Sequence, residues 1–139
     1  MMQTKDIQTF LATEFPQSTV QVLSLGDRTA SVRQEINNTH LRPGGTVSGP
    51  VLMTVADVAM YVAVLNQIGI VPLAVTTNLN INFLRKPSAE RAIIGVCHLL
   101  KVGKTLAVGE VSLYSEGSDE VVAHVVTTYA IPPKDREAQ

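Results

Sequence analysis

Asp57 is the only charged residue in the run PVLMTVADVAMYVAVL, Pro50–Leu65. The run is too long for an ordinary strand and predicts a buried or half-buried helix. A carboxylate in such a segment is costly unless it is paired, protonated or set in a wet site. Catalysis is a common reason to keep one, because a carboxylate fixed in a cleft can act as base or nucleophile. One helical turn to either side lie Met53, Thr54, Met60 and Tyr61, and only Thr54 and Tyr61 are polar. Tyr61 can donate a hydrogen bond to Asp57 or pack against a sheet. The plainer alternative places Asp57 on a narrow solvent stripe of an amphipathic helix.

Other reactive residue types are sparse. The single cysteine, Cys97, falls in the strand-like run AIIGVCHLL and reads as a core residue, since a buried Cys behaves as a small hydrophobe. His98 and His124 lie in separate strand-like runs. With one cysteine, no His-x-x-x-His pair and no acidic cluster, no metal site is indicated. The formal net charge of −1 argues against a general nucleic-acid binder. Asp57 interrupts the best membrane-span candidate, so no transmembrane helix is expected. The start MMQTKDIQTF has no apolar signal core, which predicts a cytoplasmic chain. Only 17% of the 139 residues are charged and 45% are hydrophobic, a lean surface that suggests cover by another subunit.

The elements around Asp57 follow from periodicity. The length predicts one domain over residues 1–139. An N-terminal helix is expected over Thr4–Glu14, within residues 1–16, with Ile7, Phe10 and Leu11 on one face and Pro16 beyond its end. Thr19–Leu25 and Thr29–Ile36 read as a hairpin around Gly26-Asp27-Arg28. Asn37–Ser48 reads as irregular around Pro43-Gly44-Gly45. The long helix then starts at Gly49 with Ser48 as N-cap and fades near Asn66–Gly69. Ala74–Leu84, Arg91–Lys101, Thr105–Tyr114 and Val121–Ile131 read as four strands of one antiparallel meander. In the first of these, Leu79, Ile81 and Phe83 share one face, and Asn78, Asn80 and Asn82 the other. Residues 132–139 read as a frayed polar tail. An antiparallel sheet has one apolar face to cover, and the long helix is the only element apolar enough to cover it. The fold class is therefore α+β, a long central helix wrapped by a curved antiparallel sheet, the hotdog architecture.

From Asn37 to Tyr129 the chain resembles hotdog-fold acyl-CoA thioesterases of the phenylacetate-pathway and 4-hydroxybenzoyl-CoA type. That group carries H-G-G, a short spacer, then L-A-D or L-x-E inside the central helix. Ser48–Asp57 reads S-G-P-V-L-M-T-V-A-D. Thr76–Pro87 reads T-T-N-L-N-I-N-F-L-R-K-P against the group's T-x-x-L-x-I-x-F-L-R-P, and Gly103–Glu110, G-K-T-L-A-V-G-E, fits its G-R-x…V-E strand. The resemblance implies that Asp57 acts on a thioester carbonyl, as nucleophile or as base for a water, while the Gly49 amide polarises the carbonyl oxygen. Amides at a helix start favour developing negative charge. At a rise of about 1.5 Å per residue, Gly49 and Asp57 stand about 12 Å apart along one helix. They cannot reach one carbonyl from a single chain, so the mechanism requires a homodimer. A homotetramer built of two dimers is common in the family.

Three positions depart from the family pattern. Ser48 replaces its histidine, Pro50 its second glycine, and Arg42 its Asn or Gln. Arg42, Ser48, Val51, Met53, Tyr61 and Thr77 are the substrate-binding candidates, with Met60 and Leu65 further along the pocket. A threonine hydroxyl at the start of the Thr76-Thr77-Asn78 strand can orient a water. Arg85 and Lys86, with Lys101 and Lys104, can meet the phosphates of coenzyme A. The implied partner is a small-molecule acyl-CoA. No cofactor is implied, because coenzyme A enters as part of the substrate. Two other readings stay open. One is a non-catalytic acyl-CoA or acyl-lipid binder, fed by Ser48 and Pro50. The other is a hotdog dehydratase or hydratase, since His40 stands before Gly49 as in the family's H-F-P…P-G-V-L pattern. That family's acid would fall on Thr54.

Overall fold

The computed structural model describes residues 2–133. The tail expected over residues 132–139 therefore lies mostly outside the described residues. Helix α1 is Thr4–Glu14, and its Ile7 and Leu11 are buried. Strands β1 (Gln21–Gly26) and β2 (Thr29–Gln34) form the expected hairpin, in which Arg28 takes a left-handed φ of 59°. The stretch expected to be irregular holds a 3₁₀ turn, Asn38–His40, and a small ladder of β3 (Leu41–Arg42) with β4 (Thr46–Val47). Gly44 and Gly45 turn that ladder at φ of 99° and 76°, which glycine adopts without steric penalty.

Helix α2 runs Gly49–Ile68 and ends at Gly69, whose N–H returns to the Leu65 carbonyl at 2.8 Å. It is apolar almost all round, because the sheet wraps it on several sides and leaves little solvent face. Its length and a mean hydropathy of 1.7 would suffice to cross a bilayer, so Asp57 does not disqualify it as the sequence suggested. Here it is the core helix, with most of that span buried beneath the sheet. Strands β5 (Val75–Phe83), β6 (Ile93–Val102), β7 (Leu106–Ser115) and β8 (Val121–Ala130) follow.

The six-stranded antiparallel sheet has the order β1-β2-β6-β7-β8-β5. It is the expected hotdog architecture with one correction. Only β6, β7 and β8 form a meander, whereas β5 lies at the far edge beside β8. The reason lies in the connection after β5, which carries Pro87 and lacks tight-turn chemistry. Its first amides, of Leu84 and Arg85, bond to the Val122 carbonyl, so the chain stays on β8 before crossing to β6.

Two glycines let the helix sit close to the sheet. A Cβ on Gly95 would stand 3.2 Å from Val55 Cγ1, and one on Gly109 would stand 2.6 Å from Met60 Sδ. Met60 is fully buried, and the Cys97 thiol approaches its sulfur at 3.9 Å. Burial pushes that thiol up to about 12, so Cys97 is an inert core residue. Gly109→Val should destabilise the fold by about 3 kcal/mol through overpacking. Chemical denaturation would show a lower midpoint with little change in slope. An unchanged midpoint would mean the helix does not rest on this strand as described.

Candidate active site

Asp57 is half-buried and lines a cleft of about 560 Å³ that runs along α2 past Val51, Thr54, Val58 and Tyr61. Two hydroxyls meet its Oδ1. Thr76 Oγ1 donates at 2.5 Å and Tyr129 OH at 2.9 Å, with the Asp57 carbonyl 3.1 Å from the same phenol oxygen. Burial, and then the Asp57 carboxylate, push the Tyr129 hydroxyl far above the usual phenol range. It therefore stays protonated and remains a donor. Among the described residues no donor falls on Oδ2. The carboxylate is thus anchored through one oxygen and presents the other to the cleft. A group so held can take a proton from water or attack an acyl carbon.

The backbone explains why these two hydroxyls converge. Thr76 and Tyr129 are directly opposite on β5 and β8, and the register slips between Thr76 and Asn78. Thr77 is the extra residue of that bulge. A bulge reverses the alternation of faces, so Thr76 turns inward where an unbroken strand would have turned Thr77 inward. Thr77 is exposed and donates to the Thr128 carbonyl at 3.3 Å, away from Asp57. Tyr129 was not singled out from the sequence, although it shares the inward phase of Val125 and Thr127 on β8. A tyrosine on the helix-facing side of a strand needs a partner for its hydroxyl, and a lone helix carboxylate is the obvious one.

The other candidates divide between two places. Val51 and Tyr61 line the Asp57 cleft, where Tyr61 OH donates to the Pro72 carbonyl at 3.0 Å. Phe15 lies edge-on to the Tyr61 ring at 5.7 Å and helps form the aromatic end of the cleft. Gly49, Arg42, Arg85 and Lys86 surround a second cavity of about 430 Å³, together with Phe83. Arg85 is paired with Glu120 at 2.9 Å. Ser48 is the N-cap, but its side chain makes no capping bond. Met53 is 40% exposed and borders neither cavity, and Met60 and Leu65 are buried in the core. Thr54, at the dehydratase acid position, spends its hydroxyl on the Pro50 carbonyl at 3.0 Å. Among the described residues no His, Cys, Asp and Glu cluster is arranged to hold a metal. His124 faces Glu110 on the sheet at 3.1 Å instead.

Residues 44–122 match the thioesterase superfamily. No curated protein sequence matches the chain. Among solved structures, a candidate thioesterase from Silicibacter is 41% identical, covering 96% of this chain and 94% of its own, with a TM-score of 0.88. Zebrafish thioesterase superfamily member 2 shares the fold at 21% identity, covering 95% and 100%, with a TM-score of 0.83. So does the Escherichia coli PaaI protein from the phenylacetic acid degradation operon, at 20% identity, 91% and 92% coverage and a TM-score of 0.73.

Proposed function

We propose, since this chain belongs to the thioesterase superfamily and is a thioester hydrolase, that its substrate is an acyl-CoA and its active unit a dimer. Asp57 of one subunit supplies the base or nucleophile. The Gly49 amide of the other polarises the thioester carbonyl. The observation that carries this reading is the Asp57 carboxylate, tied through Oδ1 to Thr76 and Tyr129 and open through Oδ2 to a cleft.

The places of the two halves of the site on β5 support a dimer. Thr76, near the start of β5, touches Asp57, while Phe83, at its end, lies against Gly49. The outer edge of β5 has no strand beside it among the described residues, and Leu73, Val75, Phe83 and Leu84 are exposed along it. An open edge with apolar flanks invites a second strand. Antiparallel pairing with its own copy sets the start of one β5 against the end of the other. Asp57 of one subunit then approaches Gly49 of its partner. The cavity at Gly49 brings Arg42 and Lys86, which suits the phosphates of coenzyme A.

The chemistry needs Asp57 ionised and aimed. Thr76 and Tyr129 fix its aim by donating to one oxygen. Tyr129→Phe removes one of those donors and leaves the ring. We expect kcat to fall about tenfold, the worth of one hydrogen bond to a charged group, with KM little changed. An unchanged kcat would remove Tyr129 from the site. The reading as a whole is tested by thiol release from a panel of acyl-CoAs, short aliphatic to aryl. Absence of turnover on every member would overturn the substrate assignment.

A further inference from the structure

The Asp57 cleft has a second polar feature, at the end nearer the helix start. Gln34 is the last residue of β2 and continues the inward row of Ala30 and Val32, yet it is polar and only 5% exposed. Its amide nitrogen donates to Thr19 Oγ1 and to the Glu35 carbonyl, both at 2.8 Å. A carbonyl can only accept, so the orientation of the Gln34 amide is fixed. Both its protons are used. Its Oε1 has no donor among the described residues, and the side chain lines the cleft. Oε1 is the part of this buried side chain that opens to the cleft, since Asn66 Oδ1 is the fully buried side-chain acceptor without a partner among the described residues.

His40 lines the same cleft. Its Nδ1 accepts from the Asn37 amide at 2.9 Å, which leaves the neutral ring's proton on Nε2. Nε2 has no partner among the described residues. His40 is held against the helix start, because its carbonyl accepts from the Ser48 amide at 2.9 Å. The level of Gln34 along the helix follows from its strand. Ala30 is opposite Cys97, which touches Met60, and Val32 is level with Val55, both meeting Gly95. Strand β2 thus runs toward the helix start and brings Gln34 level with Val51. That level is about 9 Å from Asp57 along the axis, at about 1.5 Å per residue.

We infer that Gln34 and His40 form a polar subsite for a neutral group presenting both a hydrogen-bond donor and an acceptor, carried by the thioester some way from the bond that breaks. Gln34 Oε1 takes the donor's proton, and His40 Nε2–H meets the acceptor. The pair disfavours a carboxylate, which the Gln34 oxygen repels, and an alkyl group, which leaves both polar atoms unpaired. Two sources offer this chemistry, an amide of the pantetheine arm and a hydroxyl on the acyl group. The inference rests on the reading of the Asp57 cleft as the substrate site.

The test uses two substrate pairs. The first holds the acyl group constant and compares its N-acetylcysteamine thioester with its ethanethiol ester, which lacks the amide. The second compares acyl-CoAs with and without a distal acyl hydroxyl. In the wild type one pair should differ by about tenfold in kcat/KM, the worth of one satisfied hydrogen bond. Gln34→Met should collapse that difference. Whichever pair discriminates names the source. Discrimination in neither pair, or discrimination that Gln34→Met leaves intact, overturns the subsite. Should Gln34→Met fail to fold, Thr19→Val at an exposed position frees the amide and carries the same test, with a smaller collapse. Dissociation constants of the matching non-hydrolysable thioethers, measured on Asp57→Asn, decide the matter independently of turnover. A failure of catalysis alone would therefore sink the proposed function and not this subsite.

Discussion

Asp57→Asn is expected to lower kcat by about 10³-fold while leaving acyl-CoA binding within a small factor, since it removes a base or nucleophile without altering shape. The hydrogen-bond pattern explains why the loss should be chemical. Thr76 and Tyr129 both donate to Oδ1. An asparagine can keep an oxygen at that place, so both hydroxyls stay satisfied and the carbonyl keeps its aim. The amide nitrogen then stands where Oδ2 faced the cleft. It can neither accept a proton from water nor attack an acyl carbon. The fold should be unharmed or slightly firmer, because a half-buried charge is gone. Thiol release, calorimetric binding and a melting curve on the same preparation separate the cases. Lost turnover with retained binding and stability supports the assignment. Retained turnover would remove Asp57 from the chemistry.

The sequence exposed Asp57 because a charge in an apolar helix is a conflict between pattern and composition, and such conflicts are visible in one dimension. The helix bounds and the three strands of the final meander were legible for a similar reason. Each rests on local periodicity and on turn residues such as Gly103 and Gly117. What stayed hidden depends on register and pairing. Period-two counting along β5 points to Thr77, and only the bulge brings Thr76 to Asp57. Tyr129 is distant in sequence and becomes a partner through the β5–β8 ladder. The edge position of β5 was misjudged for the same cause. Adjacent segments pair by default, and the local sign of a crossover is slight, a connection that carries Pro87 and lacks a tight turn. Met53 shows the complementary limit. A helical wheel places it near Asp57, but the sheet covers the other side of the helix and leaves Met53 at the surface. Gln34 was readable in principle, as a polar residue on an inward strand phase. Its meaning needed Thr19 and Glu35, which only the fold brings to its amide.

The largest effect after loss of Asp57 should come from the Gly49 amide, and its test also decides the dimer. Gly49→Pro deletes that N–H and adds a Cβ on the helical residue before Pro50, so a melting curve must accompany the activity measurement. The first helical position suits proline, because no intrahelical bond is lost there. Ser48 already holds φ −71° and ψ 150°, the extended conformation that a following proline requires. The new Cβ would stand 3.2 Å from Phe83 Cζ, and that ring is exposed enough to shift. Removing one oxyanion donor should cost about 10² in kcat. With Pro50 already lacking an amide proton, no neighbouring donor at that position substitutes for it. Each variant alone is then nearly inactive. In the proposed shared arrangement, a dimer made of one Asp57→Asn and one Gly49→Pro subunit has one ruined site and one intact site, because each site would draw Asp57 from one chain and Gly49 from the other. Equal amounts refolded together should recover about a quarter of wild-type turnover, as random pairing of a two-fold dimer dictates. Recovery at that level requires that the two residues come from different chains. Turnover that stays at the sum of the two variants would place the whole site within one subunit and discard the shared arrangement.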